Sequence, residues 1–156
     1  MEREDLRDLM GRFPHGVAVV TVSVDEQRLG LTVGSLVSLS LEPPLVGFAV
    51  SREAAMHELL REAGGCAISL LAAGQEWLAQ HFARGVPPIA MWHGVATERD
   101  AEGAPLLVGA LGWLECELAH EVAVSTHTFF ACEVLKVESG VDAPGLVRVR
   151  GCYQGA

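Results

Sequence analysis

Ser51 and Arg52 follow the apolar run LVGFAV and precede EAAMHELLREAGG, a stretch of helical periodicity. The start of a helix leaves N–H groups unpaired, and an adjacent arginine adds a permanent charge with a fork of donors, so a phosphate could rest at this junction. The plainer reading is a capping serine beside a solvated arginine. Upstream, Leu31 to Leu41 reads LTVGSLVSLSL. Read as one strand, it places Thr32, Gly34, Leu36, Ser38 and Ser40 on one face, with Leu31, Val33, Ser35, Val37, Leu39 and Leu41 on the other. The first face is either a solvated sheet surface or a shelf for a flat polar ring system. The stretch contains no charged side chain, and a glycine in a strand interior often marks close approach by a ligand or another backbone.

Histidine and cysteine offer further chemistry. Cys116, His120, His127 and Cys132 supply the N and S donors that suit zinc. Their spacing opposes it: Cys116 and His120 would share a strand face, whereas His127 and Cys132, five positions apart, would not. The expectation is no metal. His127 alone is a strand histidine, read either as a hydrogen-bonded structural residue or as a group that positions a ligand. The four cysteines contain no C-x-x-C pair and read as free, mostly buried thiols. No G-x-S-x-G, P-loop or G-x-G-x-x-G occurs, so neither an activated serine nor a dinucleotide fold of the usual kind is indicated.

The elements that must position these residues are mostly strands. GVAVVTVSV, LTVGSLVSLSL, LVGFAV, CAISLLA, PLLVGALGWLECELA, THTFFACEVLKVE and GLVRVRG are joined by short turns without regular strand and helix alternation. That arrangement favours an antiparallel sheet closed into a barrel and decorated by helices. Three helices are expected: Arg3 to Arg12 with Leu6, Leu9, Met10 and Phe13 at helical spacing; Glu53 to Ala63 ended by Gly64-Gly65; and Gln75 to Arg84 closed by Gly85. The third carries the stripe Trp77, Leu78, His81 and Phe82, read as packing. Val86 to Asp100, containing PPIAMW, has no clear period, and Trp92 within it either covers a pocket or packs.

At 156 residues a single domain with one core is expected. With 20 acids against 11 bases and a net charge of -9, nucleic acid and anionic membrane are poor partners. No apolar run approaches the roughly 20 residues that cross a bilayer, and MEREDLRDL lacks the shape of a secretory signal, so the cytoplasm is expected.

MGRFPHGVAVVTV, LTVGSLVSLSLEPPLV, SREAAMHELL, AAGQEWLAQHFARG, VAVSTHTFFACEVL and RGCYQ together resemble the flavin reductase-like FMN-binding split barrels. Within them the chain is similar to the reductase components of two-component monooxygenases, from about Leu6 to Tyr153. The resemblance implies an antiparallel Greek-key split barrel and a homodimer. It implies transfer of a hydride from NADH or NADPH to FMN or FAD, with reduced flavin passed to a partner monooxygenase; the alternative is a non-catalytic FMN-binding carrier or sensor. By the same resemblance, Thr32, Val33, Gly34, Ser35, Val37 and Ser38 lie along the flavin ring and ribityl chain. Ser51 and Arg52 lie near its phosphate, Phe82 and Arg84 approach the cofactor, and His127 sits where nicotinamide docks. The family's Gly-Asp-His is here Ser125-Thr126-His127, without the acid, as in the monooxygenase-partner subgroup. Where a further hydroxyl is common after the turn, this chain carries Glu53, Ala54 and Ala55, an expected weakening of phosphate binding.

Overall fold

The computed structural model describes residues 1–84, 86–98 and 103–156. In chain order its elements are α1 (Arg3–Gly11), β1 (His15–Gly16), β2 (Ala18–Val24), β3 (Gln27–Val33), β4 (Val37–Leu41), β5 (Pro44–Ser51), α2 (Ala55–Ala63) and β6 (Gly65–Leu70). There follow α3 (Glu76–Ala83), α4 (Pro88–Met91), β7 (Gly112–Val124), β8 (His127–Ser139), β9 (Leu146–Val149) and β10 (Cys152–Gly155). A seven-stranded antiparallel sheet runs β3-β2-β6-β7-β8-β5-β4, and β1-β9-β10 form a small second sheet.

The strand order corrects the reading of Leu31 to Leu41 as one stave. Backbone pairing stops at Val33 and resumes at Val37, and the resulting strands β3 and β4 occupy opposite edges of the large sheet. Gly34-Ser35-Leu36 therefore crosses the opening between those edges, and the face alternation expected from Leu31 to Leu41 does not carry through. A register shift between Ser38 and Ser40 disturbs it again within β4. This opening makes the barrel a split one.

Its interior is filled by alternate residues of the strands. Val20, Val22, Phe48, Val50, Ile68 and Phe130 are buried, and α2 adds Met56, Leu59 and Leu60 from its inner face. Gly64, at φ +70°, ends α2 in the left-handed conformation that glycine adopts without a Cβ clash. The other helices differ from expectation in instructive ways. α1 forms over the expected span, yet Leu6, Leu9, Met10 and Phe13 are 51–66% exposed, so its apolar stripe packs on nothing within this chain. On α3 the buried residues are Leu78, Ala79 and Phe82, whereas Trp77 is exposed. The expected closure of that helix by Gly85 lies outside the described residues, as does the end of the Val86 to Asp100 stretch. Within that stretch α4 forms, with Met91 buried and Trp92 Nε1 donating to the Arg28 carbonyl at 2.9 Å. No helix among the described residues is long and apolar enough to cross a membrane.

Candidate active site

Two turns distant in sequence are held side by side. Ser51, the last residue of β5, pairs with His127, the first of β8, and the Arg52 N–H donates to the Thr126 carbonyl at 3.0 Å. Ser125-Thr126 is a two-residue hairpin turn between Val124 and His127, with Ser125 at φ +51°. Thr126 Oγ1 lies 2.9 Å from His127 Nδ1. A neutral imidazole whose Nδ1 accepts from that hydroxyl keeps its proton on Nε2, ready to donate to a ligand. A hydroxyl thus holds the ring at this turn. His127 and the Arg52 guanidinium-bearing side chain are both exposed.

α2 begins two residues later than expected. The Ser51 carbonyl is taken by the Ala54 N–H at 3.1 Å, and the Ser51 hydroxyl accepts from Glu53 N–H at 3.3 Å. Ser51 thus caps a turn, and Ala54, which has no acceptor, stands at the N-cap. The first helical turn consequently receives no side-chain cap, and its amides are free of that competitor for a ligand.

The crossing segment forms the second part of the site. Ser35 Oγ accepts from the Ala49 N–H at 2.9 Å, tying the segment to β5 two residues before Ser51. The His15 ring lies against Gly34 so closely that a Cβ there would overlap it. Val37 and Ser38 pair with Gly47 and Val46 of β5, so both stand on the same edge as Ser51. Thr32 and Val33 face other work: the Thr32 hydroxyl donates to the Ala79 carbonyl of α3 at 2.7 Å, and Val33 is buried in the core.

Phe82 and Arg84 border a cleft of about 460 Å³ whose other walls include Leu29, Gly30 and the residues Glu53 to Ala55 at the start of α2. Arg84 is exposed at its rim. Phe82 is 1% exposed, pressed on Gly30 with its centroid 5.2 Å from that of Trp92, so it serves chiefly as packing behind the cleft. The structure therefore brings Ser35, Ser51, Arg52 and His127 into one neighbourhood and sets Arg84 beside the next turn of chain. Cys116 and Cys132 lie buried in the core away from the exposed His120 and His127, and no metal-binding group of three or more such side chains occurs among the described residues.

Sequence reasoning missed His57. It lies buried on α2, with Nε2 2.7 Å from Thr128 Oγ1, Nδ1 2.9 Å from Glu58 Oε1, and its ring centroid 5.4 Å from that of Phe130. His57 thus fastens α2 to β8 one residue beyond His127. The usable signal was spacing, since His57 precedes the buried Leu60 by one turn. Its replacement by alanine should lower stability by about 1–3 kcal/mol through the unpaired Thr128 hydroxyl and lost packing. Denaturant unfolding followed by circular dichroism would record the loss.

Exposed Glu58 is held below the usual carboxylate range, first by the hydrogen bond from His57 and then by Arg61, which also pairs with Glu121 at 3.0 Å. A carboxyl whose folded pKa lies below its unfolded value of 4.5 adds stability that is present above that value. This stability is lost as pH falls through the folded pKa. Thermal midpoints of the native protein and Glu58→Gln should accordingly differ at pH 6 and converge toward pH 3.

A profile of the "Flavin reductase like domain" matches residues 10–156. The chain belongs to the flavin reductase-like family. The reductase-like chain is 42% identical over 139 residues to an "NADH-dependent FAD reductase" of Streptomyces globisporus, covering 86% of this chain and 75% of that one. It is 38% identical to the reductase component of 4-hydroxyphenylacetate 3-monooxygenase from Thermus thermophilus, covering 97% and 95%. Among solved structures, the Streptomyces globisporus NADH:FAD oxidoreductase with NAD and FAD fragments superposes at TM-score 0.92, with 36% identity and coverage of 99% and 93%. BorF, the flavin reductase component of a bacterial two-component tryptophan halogenase, does so at 0.91, with 35% identity and coverage of 99% and 98%. These alignments agree with the split-barrel topology of the large sheet.

Proposed function

We propose that this chain is an NAD(P)H:flavin oxidoreductase that reduces FMN or FAD and supplies the reduced flavin to a partner monooxygenase. The observation carrying this reading is the junction of Ser51-Arg52 with Ser125-Thr126-His127, an exposed arginine and a hydrogen-bonded imidazole on adjacent strand ends. The residues present fit a flavin. Gly34 and Ser35 offer backbone groups, with the His15 ring packed on the side where a Gly34 Cβ would stand; Arg52 offers a guanidinium to the phosphate, and the uncapped first turn of α2 lies beside it. In this reading Thr32 to Ser35 and Val37-Ser38 lie along the ring system and ribityl chain, mostly through backbone groups, and Phe82 and Arg84 border the cleft beside them. When bound, the flavin supplies the ring that accepts a hydride from the reduced nicotinamide. The chain's own task is positional. His127 Nε2 donates to the nicotinamide carboxamide, Thr126 fixes the ring, and the packed core around Phe48 and Phe130 keeps water off the inner side.

We also assign the outer face of the sheet to a homodimer interface. His127 and Phe129 of β8 pair with Val124 and Val122 of β7, so the four share a face. Val122 and Val124 are exposed there, as are Val37 and Leu39 on β4. A second copy seated on this face would enclose His127 in an apolar setting; light scattering reporting a monomer at micromolar concentration refutes it. One domain spanning the whole chain and a cytoplasmic location complete the reading. The enzymatic claim is tested by mixing the purified chain with NADH or NADPH and FMN or FAD and following nicotinamide absorbance. No loss with any combination rejects it, and flavin retained through gel filtration without turnover selects a carrier instead.

A further inference from the structure

Three of the four free cysteines meet inside the barrel, far from any residue given a part in the reductase reading. Cys66 of β6 and Cys116 of β7 stand directly opposite each other in the antiparallel ladder, so their side chains leave the sheet on the same face. Cys116 in turn pairs with Val134 of β8, and Cys132, two residues before Val134, shares that face. All three belong to one buried core cluster, and the Cys66 thiol is in hydrogen-bonding contact with both of the others.

Register decides which two of the three can be joined. Directly opposed residues of an antiparallel pair have Cα atoms about 4.5–5.5 Å apart, inside the roughly 4.4–6.8 Å that a disulfide bridges. Cys132 is diagonal to Cys116, a separation of about 7–8 Å, and lies two strands away from Cys66. The wall also opens beside the opposed pair. A register shift between β7 and β8 falls at Glu115/Cys116 and leaves Leu135 as the extra residue of a bulge. Leu135, Cys66 and Cys116 border a cavity of about 260 Å³ together with Ser23 and Gly65. Cys66 and Cys116 keep 7% and 5% exposure, whereas Cys132 has none and does not border the cavity.

We propose that Cys66 and Cys116 are a modification site, forming a reversible disulfide across β6 and β7 when hydrogen peroxide reaches them through this cavity. The Cys116 sulfur attacks one peroxide oxygen, the O–O bond breaks, and hydroxide leaves with the Cys116 thiol proton as water, giving a sulfenic acid. The Cys66 sulfur then forms the S–S bond as the S–O bond breaks, and its proton leaves with that hydroxide as a second water. Two electrons pass from the two thiols to one peroxide. Contact with Cys116 and then Cys132, together with burial, pushes the Cys66 thiol up, which suits it to the second step, where its proton goes to the leaving group. In a compartment that keeps thiols reduced, exchange with a small thiol reverses the bond.

The test uses the full chain carrying Cys152→Ser, which removes the exposed thiol that could join two copies. The protein is treated with hydrogen peroxide, the remaining thiols are alkylated in denaturant, and its digested peptides are mapped by mass. The expected result is loss of two of the three alkylatable thiols, with the Cys66 and Cys116 peptides joined and Cys132 alkylated. Dithiothreitol should restore all three. Adding Cys132→Ser should leave the link in place, and adding Cys116→Ser should abolish it. Three thiols still alkylatable after peroxide, a sulfinic acid in place of the link, or a link through Cys132 overturns the proposal. The peptide map of the parent chain decides the matter even where Cys116→Ser impairs folding. Nicotinamide oxidation enters none of these readouts, so the reductase reading stands or falls separately.

Discussion

Phe130→Ala should lower the free energy of unfolding by about 3–5 kcal/mol, the usual cost of emptying a large aromatic site in a close-packed core. Phe130 is fully buried, with ring centroids 6.2 Å from Phe48 and 5.4 Å from His57. It therefore both fills the barrel and forms one wall of the seat in which His57 meets Thr128. At this chain length the loss corresponds to a fall of roughly 10 °C in thermal midpoint. Denaturant unfolding followed by circular dichroism measures it directly. Phe130→Leu, which keeps most of the volume, should cost well under half as much, and equal losses for the two variants would show that the cavity is not the cause.

Arg52→Ala should weaken FMN binding by about tenfold to a hundredfold, since a charge-assisted contact to phosphate contributes about 1.5–3 kcal/mol. Riboflavin, which lacks the phosphate, should bind both proteins nearly alike. The contrast is clean because the Arg52 N–H that donates to Thr126 belongs to the backbone and survives the substitution. The FMN penalty should also shrink as salt rises. Flavin fluorescence titration at two ionic strengths supplies every comparison, and equal losses for FMN and riboflavin would remove Arg52 from the phosphate.

How much of this was readable from the residues alone differs by element. α2 was legible because Met56, Leu59 and Leu60 recur with the helical period and Gly64 marks its end. Its start was displaced because a serine can close a turn as readily as it caps a helix, and the Ser51 carbonyl took the turn. The break at Gly34 to Leu36 was hidden for a different reason. Apolar and small residues alternate straight through it, and alternation records which way side chains point but not which strand lies alongside. Only the partners, β2 for β3 and β5 for β4, reveal that the segment spans an opening. α1 shows a third limit: its stripe is correctly amphipathic, yet periodicity does not say whether the covering surface belongs to the same molecule.

The site was legible in part. Ser51, Arg52 and His127 were singled out separately, and β5–β8 pairing supplied the contact between them. Phe82, placed near the cofactor by resemblance, packs on Gly30 and borders the cleft with Arg84. His57 escaped because its contact depends on Thr128, far away in the chain.

The three-residue strap from Gly34 to Leu36 sets a mechanical condition on the barrel. Because no ladder joins β3 to β4, widening their separation breaks no rung of the sheet. The load falls on the fastenings of the strap itself, such as Ser35 to Ala49. Any widening of the mouth therefore leaves the rungs of the seven-stranded sheet intact.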